Sequence, residues 1–253
     1  MRYSGCIDNK NKVDEIKCPI NQLGSIFDYV KENPNKRYNI VSNFEHLNDI
    51  LYKQIDFIRE VAADYTVGCS NFRAMEDLIK KGYNAYFAHP IADWETFLNL
   101  VKAGVSDIWI DGSLGFQRNN IVLAKENVKI RVSPTMSINA AFSHGDNLNS
   151  FFIRPEDLHL YEGAIDIVDF CQTGKHAEET LLDIYQRGTY MANLRILIKQ
   201  LNVDIDNNLL PTDFGKARLD CGQKCFIPNK TCHNCFNNAK LSKALDTALK
   251  NLN

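Results

Sequence analysis

From Arg37 to about Asn202 the chain alternates short β-rich runs with runs of helical periodicity, and this alternation limits its folds more than any other feature. The β-rich runs are Tyr38–Ser42, Asp64–Cys69, Asn84–His89, Asp107–Asp111, Lys129–Ser133, Phe151–Arg154 and Ile165–Phe170. Between them lie amphipathic segments. In SNFRAMEDLIKKG, Phe72, Met75, Leu78 and Ile79 share one face, Ser70 is placed to cap the start and Gly82 to end the helix. ADWETFLNLVKAG repeats the pattern, with Asp93 as cap, an apolar face of Trp94, Phe97, Leu98 and Val101, and Gly104 as stop.

Strand, helix, strand in unbroken series means right-handed βαβ units and a parallel sheet. Seven strands in one series favour a closed or nearly closed ring over an open doubly wound sheet. No Gly-x-Gly-x-x-Gly follows the first strand, which argues against dinucleotide binding. The expected class is α/β, a TIM-type barrel with seven legible strands. A length of 253 residues suits one such barrel. The expected organisation is a polar extension over 1–36, the barrel over 37–205 and a Cys-rich segment with a closing helix over 206–253.

That last segment contains Cys221, Cys225, Cys232 and Cys235 within fifteen residues. Clustered thiols have no packing rationale, whereas a soft metal centre gives them one, since thiolates bind Zn²⁺ and iron–sulfur iron strongly. The six-residue inner loop is short for a zinc ribbon, so a 4Fe–4S cluster is expected ahead of Zn²⁺. Seven basic residues against two acidic ones from Lys216 onward make the tail +5 and the remainder −7. A solvated face explains such a tail, as does contact with phosphate or an acidic partner. No run of ~20 apolar residues suggests a membrane span, and MRYSGCIDNKNKVDE lacks the apolar centre of a secretory signal. Cytoplasmic residence and reduced thiols are therefore expected.

In barrels the reactive groups gather at the C-terminal ends of the strands. Those ends give Asn43, His89, Asp111, Thr135, Arg154 and Asp169, with thiols at Cys69 and Cys171. His89, Asp111 and Arg154 are the expected catalytic groups; Asn43, Thr135 and Asp169 are expected to bind substrate. The set suits a small anionic or hydrogen-bonding molecule, or RNA, with Arg154 as a bidentate clamp or, alternatively, as the partner of an internal acid such as Asp169. No nucleophile elbow, phosphate loop or HExxH motif is present.

The segment Phe151–Tyr190 resembles the most recognisable stretch of the peptidase U32 family. Ile153, Arg154, Pro155, Glu156, Asp157 and Leu158 match its Arg-Pro-x-Asp-Leu element. Ile165–Phe170 match its strand, and Tyr185 with Arg187 its helix. The order of elements from Tyr38 to Asn202 also fits that family. The resemblance implies a TIM-type barrel. For several members it further implies a cysteine-held iron–sulfur cluster and oxygen-independent hydroxylation of tRNA, rRNA or a quinone precursor; others are collagenase-like peptidases. This chain departs from the peptidase pattern, because no cysteine follows His144-Gly145 within SPTMSINAAFSHGDNLNS.

Overall fold

The computed structural model describes residues 1–43, 47–115, 117–134, 152–170, 175–197, 206–210 and 212–221. Eight parallel strands form one sheet: β1 (Arg2–Cys6), β2 (Glu15–Pro19), β3 (Arg37–Ser42), β4 (Asp64–Cys69), β5 (Ala85–Phe87), β6 (Asp107–Ile110), β7 (Lys129–Val132) and β8 (Ile167–Asp169). Their order is β5-β4-β3-β2-β1-β8-β7-β6. The ends meet at a seam: the Ile91 N–H donates to the Trp109 carbonyl (2.7 Å), the Asp111 N–H to the Ile91 carbonyl (2.8 Å), and the Ser106 N–H to the Ala85 carbonyl (3.0 Å). The molecule is a TIM-type (β/α) barrel.

The connecting elements are α1 (Phe27–Glu32), α2 (Asp49–Val61), α3 (Phe72–Lys80), α4 (Trp94–Ala103), α5 (Gly112–Gly115) and α6 (Arg118–Ala124). After β8 come α7 (Lys175–Arg187), α8 (Leu194–Leu197) and α9 (Phe214–Cys221). The caps follow side-chain chemistry. The Asn48, Asn71 and Asp93 side chains accept from the backbone N–H of Leu51, Ala74 and Thr96. Asn71, and not Ser70, thus starts α3. Gly104 ends α4 at φ 72°, a left-handed conformation that a side chain would disfavour.

Two expectations need correcting. Residues 1–36 are not an extension; they supply β1 and β2, so the barrel starts at Arg2. These strands read as polar text because the barrel interior they face is polar. Ile16 and Cys18 point out beneath the helices, while Glu15 and Lys17 point in. The expected strand Phe151–Arg154 is not one over its described residues, 152–154, either. Its described residues run from one backbone bond, Ile153 N–H to the Pro134 carbonyl (3.0 Å), straight into a 3-10 turn over Pro155–Tyr161. The eighth strand is Ile167–Asp169.

The apolar core lies between strands and helices, built on Ile16, Ile40, Val67, Ile108, Ile130 and Val168. Inside the ring the chemistry is ionic. Arg131 (β7) holds Glu15 (β2) in a bidentate pair, at 2.6 and 2.9 Å, and Asp169 (β8) at 3.0 Å. Arg37 (β3) reaches Asp107 (β6) at 2.6 Å and Glu15 at 3.2 Å. Ser4 (β1) donates to Glu15 (2.8 Å), and Asn39 donates to Glu15 (3.3 Å) and to the Tyr86 hydroxyl (3.0 Å). The Arg131 guanidinium lies 5.2 Å from the Tyr86 ring centroid. Gly68 permits that arrangement, because a Cβ there would come within 2.9 Å of the Tyr86 ring.

Burial alone would raise the Glu15 pKa. Arg131, helped by Arg37 and the Ser4 hydroxyl, outweighs burial and holds the carboxyl at about 2 against its ordinary 4.5. The folded value is depressed, so the stability this carboxylate contributes is complete above pH 4.5 and is lost as pH falls towards 2. Urea unfolding at a series of pH values is expected to show that decline. Glu15→Gln is expected to remove part of the slope and to cost about 3–5 kcal/mol, because it strips Arg131 of its buried counter-ion.

Candidate functional site at the barrel mouth

At the C-terminal face of the barrel the inward series reaches Lys17, which is partly exposed. Its Nζ lies 3.1 Å from Asp169 Oδ2 and 5.0 Å from the Trp109 ring centroid, with 12% of the side chain exposed. Asp169 is fully buried and shares the same oxygen with Arg131. Trp109, one residue before the end of β6, is buried and supplies an aromatic wall. The pleat alternates side chains across the strand, so Asp111 and Ser133 continue the inward series beyond Trp109 and Arg131. Both are buried. The Ser133 hydroxyl has no hydrogen-bond partner among the described residues.

The mouth therefore combines an ammonium, buried carboxylates, a hydroxyl and an indole face. The ammonium can bind and orient a polar substrate, with Asp169 behind it as a proton partner.

The expected site residues divide into three groups. Asn43, His89, Asp111 and Asp169 sit at the C-terminal ends of β3, β5, β6 and β8. Asn43 and His89 are exposed; Asp111 and Asp169 are buried. The His89 ring packs 5.0 Å from Phe87, which itself stacks on Phe72 at 4.1 Å. Asp111 also belongs to the seam, and its carbonyl accepts from the Leu114 and Gly115 N–H groups as the chain turns into α5.

Arg154 is not part of the mouth. Its guanidinium holds Asp157 at 2.5 and 2.9 Å, lies 3.4 Å from Glu156 and 3.3 Å from the Asn207 side chain, and covers the Phe214 ring of α9 at 5.1 Å. The internal acid is therefore Asp157, three residues on, and not Asp169. A 3-10 turn opening on Pro155 brings Asp157 back over Arg154, and the Asn207 amide donates to Glu156 and, at 2.6 Å, to the Tyr190 carbonyl. The Arg-Pro-Glu-Asp motif thus acts as a clasp between the barrel wall and the C-terminal elements.

Thr135, Cys171, Cys225, Cys232 and Cys235 lie outside the described residues. Cys221 is the last residue of α9, and its side chain is likewise not described. Among the described residues no cluster of three or more His, Cys, Asp or Glu is arranged to hold a metal ion. Cys69 sits on the outward face of β4, where burial pushes its thiol up to about 12, so it is not a nucleophile for the mouth. Lys17 and Trp109 escaped the sequence reading, whereas Ser133 was legible as a strand-end residue. The strict alternation Glu15-Ile16-Lys17-Cys18 was the available signal for the lysine.

Fold and mouth together define a parallel barrel with a polar, ion-paired interior. No family model matches the chain, and no curated protein matches it. Among solved structures it is similar to a cube-shaped, highly porous protein cage designed by fusing symmetric oligomeric domains, at 10% identity and a TM-score of 0.44, over 100% of this chain and 84% of that one. No helix among the described residues is long and apolar enough to cross a membrane.

The clasp can be tested without touching the mouth. Gly215 in α9 packs against the Asp157 carboxylate so closely that a Cβ would collide with it. Gly215→Ala is expected to cost about 1–3 kcal/mol by overpacking. Arg154→Lys, which keeps the charge and loses the fork, is expected to cost about 1–3 kcal/mol by breaking charged hydrogen bonds. Thermal or urea unfolding measures both.

Proposed function

We propose that this chain is a barrel enzyme of the U32-like kind, acting on a small molecule or RNA at the C-terminal mouth and carrying a metal centre on Cys221, Cys225, Cys232 and Cys235. The observation that carries it is the crowding of four thiols into fifteen residues after the barrel. The donor set fits the group: four thiolates match the preference of iron–sulfur iron and of zinc. The start of that segment is anchored, since α9 docks on the barrel through Phe214, which stacks on Phe152 at 6.0 Å and lies under Arg154. A reducing cytoplasm suits thiolate ligands. When bound, an iron–sulfur cluster would supply single electrons for an oxygen-independent modification.

The protein's own groups do the rest. Lys17 and the tail lysines attract an anionic substrate, Trp109 covers one face of it, and Asp111 with His89 are the groups at the strand ends able to accept or donate a proton. Arg154 has no part in this, because the clasp occupies it. A second reading, a structural zinc knuckle on a module that binds RNA or protein, draws support from the +5 charge of the tail. A peptidase has less support, since no cysteine follows His144-Gly145.

Anaerobic purification of the full chain with metal and sulfide analysis tests the proposal. Brown protein with iron, acid-labile sulfide and visible absorption that reductant bleaches is the expected result. Cys225→Ser and Cys232→Ser are expected to abolish the colour while leaving the barrel's circular dichroism intact. Colourless protein with bound zinc would favour the binding module. Protein that takes up neither metal would overturn the metal centre altogether.

A further inference from the structure

We propose that Lys17 is a covalent catalytic residue that forms an iminium with a small carbonyl substrate at the barrel mouth; this rests on the mouth being the site of reaction. In the interior network Lys17, Arg37 and Arg131 face Glu15, Asp107 and Asp169, and Arg37 also lies 3.6 Å from Asp64. Only one of these bases can become a nucleophile, because guanidinium does not give up its proton in proteins whereas an ammonium does. That base is also the one the fold leaves within reach. Arg37 and Arg131 expose 1% and 0% of their side chains, Lys17 12%. If charge balance were the only requirement, an arginine would meet it with a better hydrogen-bonding fork.

The network also favours the product. Asp169 Oδ2, 3.1 Å from Nζ, is placed to take one proton and free the nitrogen lone pair. The lone pair then bonds to the carbonyl carbon, and the C=O π electrons move to oxygen, which collects a proton to give the carbinolamine. Loss of that oxygen as water leaves C=N⁺–H. Over the sequence two of the three ammonium protons depart in the water, and the position carries +1 before and after. No oxidant or reductant is consumed. The buried carboxylates therefore face a cation at both ends of the step, so no charge is left uncompensated in the interior. Trp109, 5.0 Å away, offers its π face to the iminium as it does to the ammonium. Ser133 supplies a buried hydroxyl that has no partner among the described residues and can bond a polar substituent of the substrate. A small ketone or aldehyde with a hydrogen-bonding substituent fits this set.

The test uses the full chain, pyruvate and glyoxylate as probes, sodium cyanoborohydride to reduce any imine, and peptide mass mapping to locate the adduct. A parallel sample is treated with acetic anhydride, which reports lysine accessibility without requiring imine chemistry. Lys17 is expected to be the first lysine trapped by the carbonyl probes, ahead of lysines that acetylate faster. Lys17→Arg, which keeps the cation opposite Asp169, is expected to retain the wild-type unfolding midpoint and lose that adduct entirely. A purely structural lysine would give no preferential adduct. Lys17 that acetylates but is not trapped preferentially overturns the iminium and leaves the mouth as a reaction site. Lys17 that reacts with neither reagent overturns both.

Discussion

The bidentate pair between Arg131 and Glu15 is the interaction on which the rest of this barrel depends. It joins β7 to β2 across the ring, through strands that are not neighbours in the sheet. Other polar contacts of the interior attach to its two ends: Arg37, Ser4 and Asn39 to Glu15, Asp169 and through it Lys17 to Arg131, while Arg37 carries the network on to Asp107. Most proteins fill such a space with branched aliphatic side chains, at little desolvation cost. Here the desolvation of several ions must be offset by the close geometry of their pairs. The near-zero exposure of both partners and the depressed Glu15 carboxyl are consistent with that offset. A polar interior also fixes register, because a slip of one residue along any strand would bury a charge among the aliphatic side chains under the helices.

The same economy governs the outer layer, where Arg154 and Asp157 tie the turn after β7 to α9. A motif resembling part of a known family proved to be a structural clasp, its arginine enclosed by Asp157, Glu156, Asn207 and Phe214. Family-like residues at a strand end are therefore not automatically groups of the mouth. Chain direction and turn geometry decide which way the side chain faces. Arg154 turns towards the helices, while Arg131, on the preceding strand, turns into the ring.

Local patterns made most of the fold legible. Six of the strands and the helices α3 and α4 follow from apolar spacing, caps and stop glycines, since their outward faces are aliphatic and their boundaries carry Asn, Asp and Gly. β1 and β2 were missed because RYSGC and EIKCP hold no apolar run. Their inward residues are the ligands of an ion network, and alternation with a charged inner face looks like surface text. Phe151–Arg154 misled in the opposite direction: its aromatic and branched residues are β-forming, but Pro155 and the Arg154–Asp157 pair turn the chain out of the sheet.

Of the groups at the mouth, Asn43, His89, Asp111 and Asp169 were readable as strand-end residues, since parallel strands in a barrel all end on one face. Which of them are buried, and that Asp169 shares Lys17 with the interior, was not readable, because those facts depend on partners up to 152 positions away. By itself the sequence determined a parallel α/β barrel and a cluster of four cysteines beyond it, through periodicity and spacing that act over a few residues. Only the tertiary structure decided that the interior is ionic, that Arg154 belongs to a clasp, and that Lys17 stands at the mouth. The physical reason is that a buried charge is tolerable only beside its counter-charges, and ring closure brings them together from distant strands.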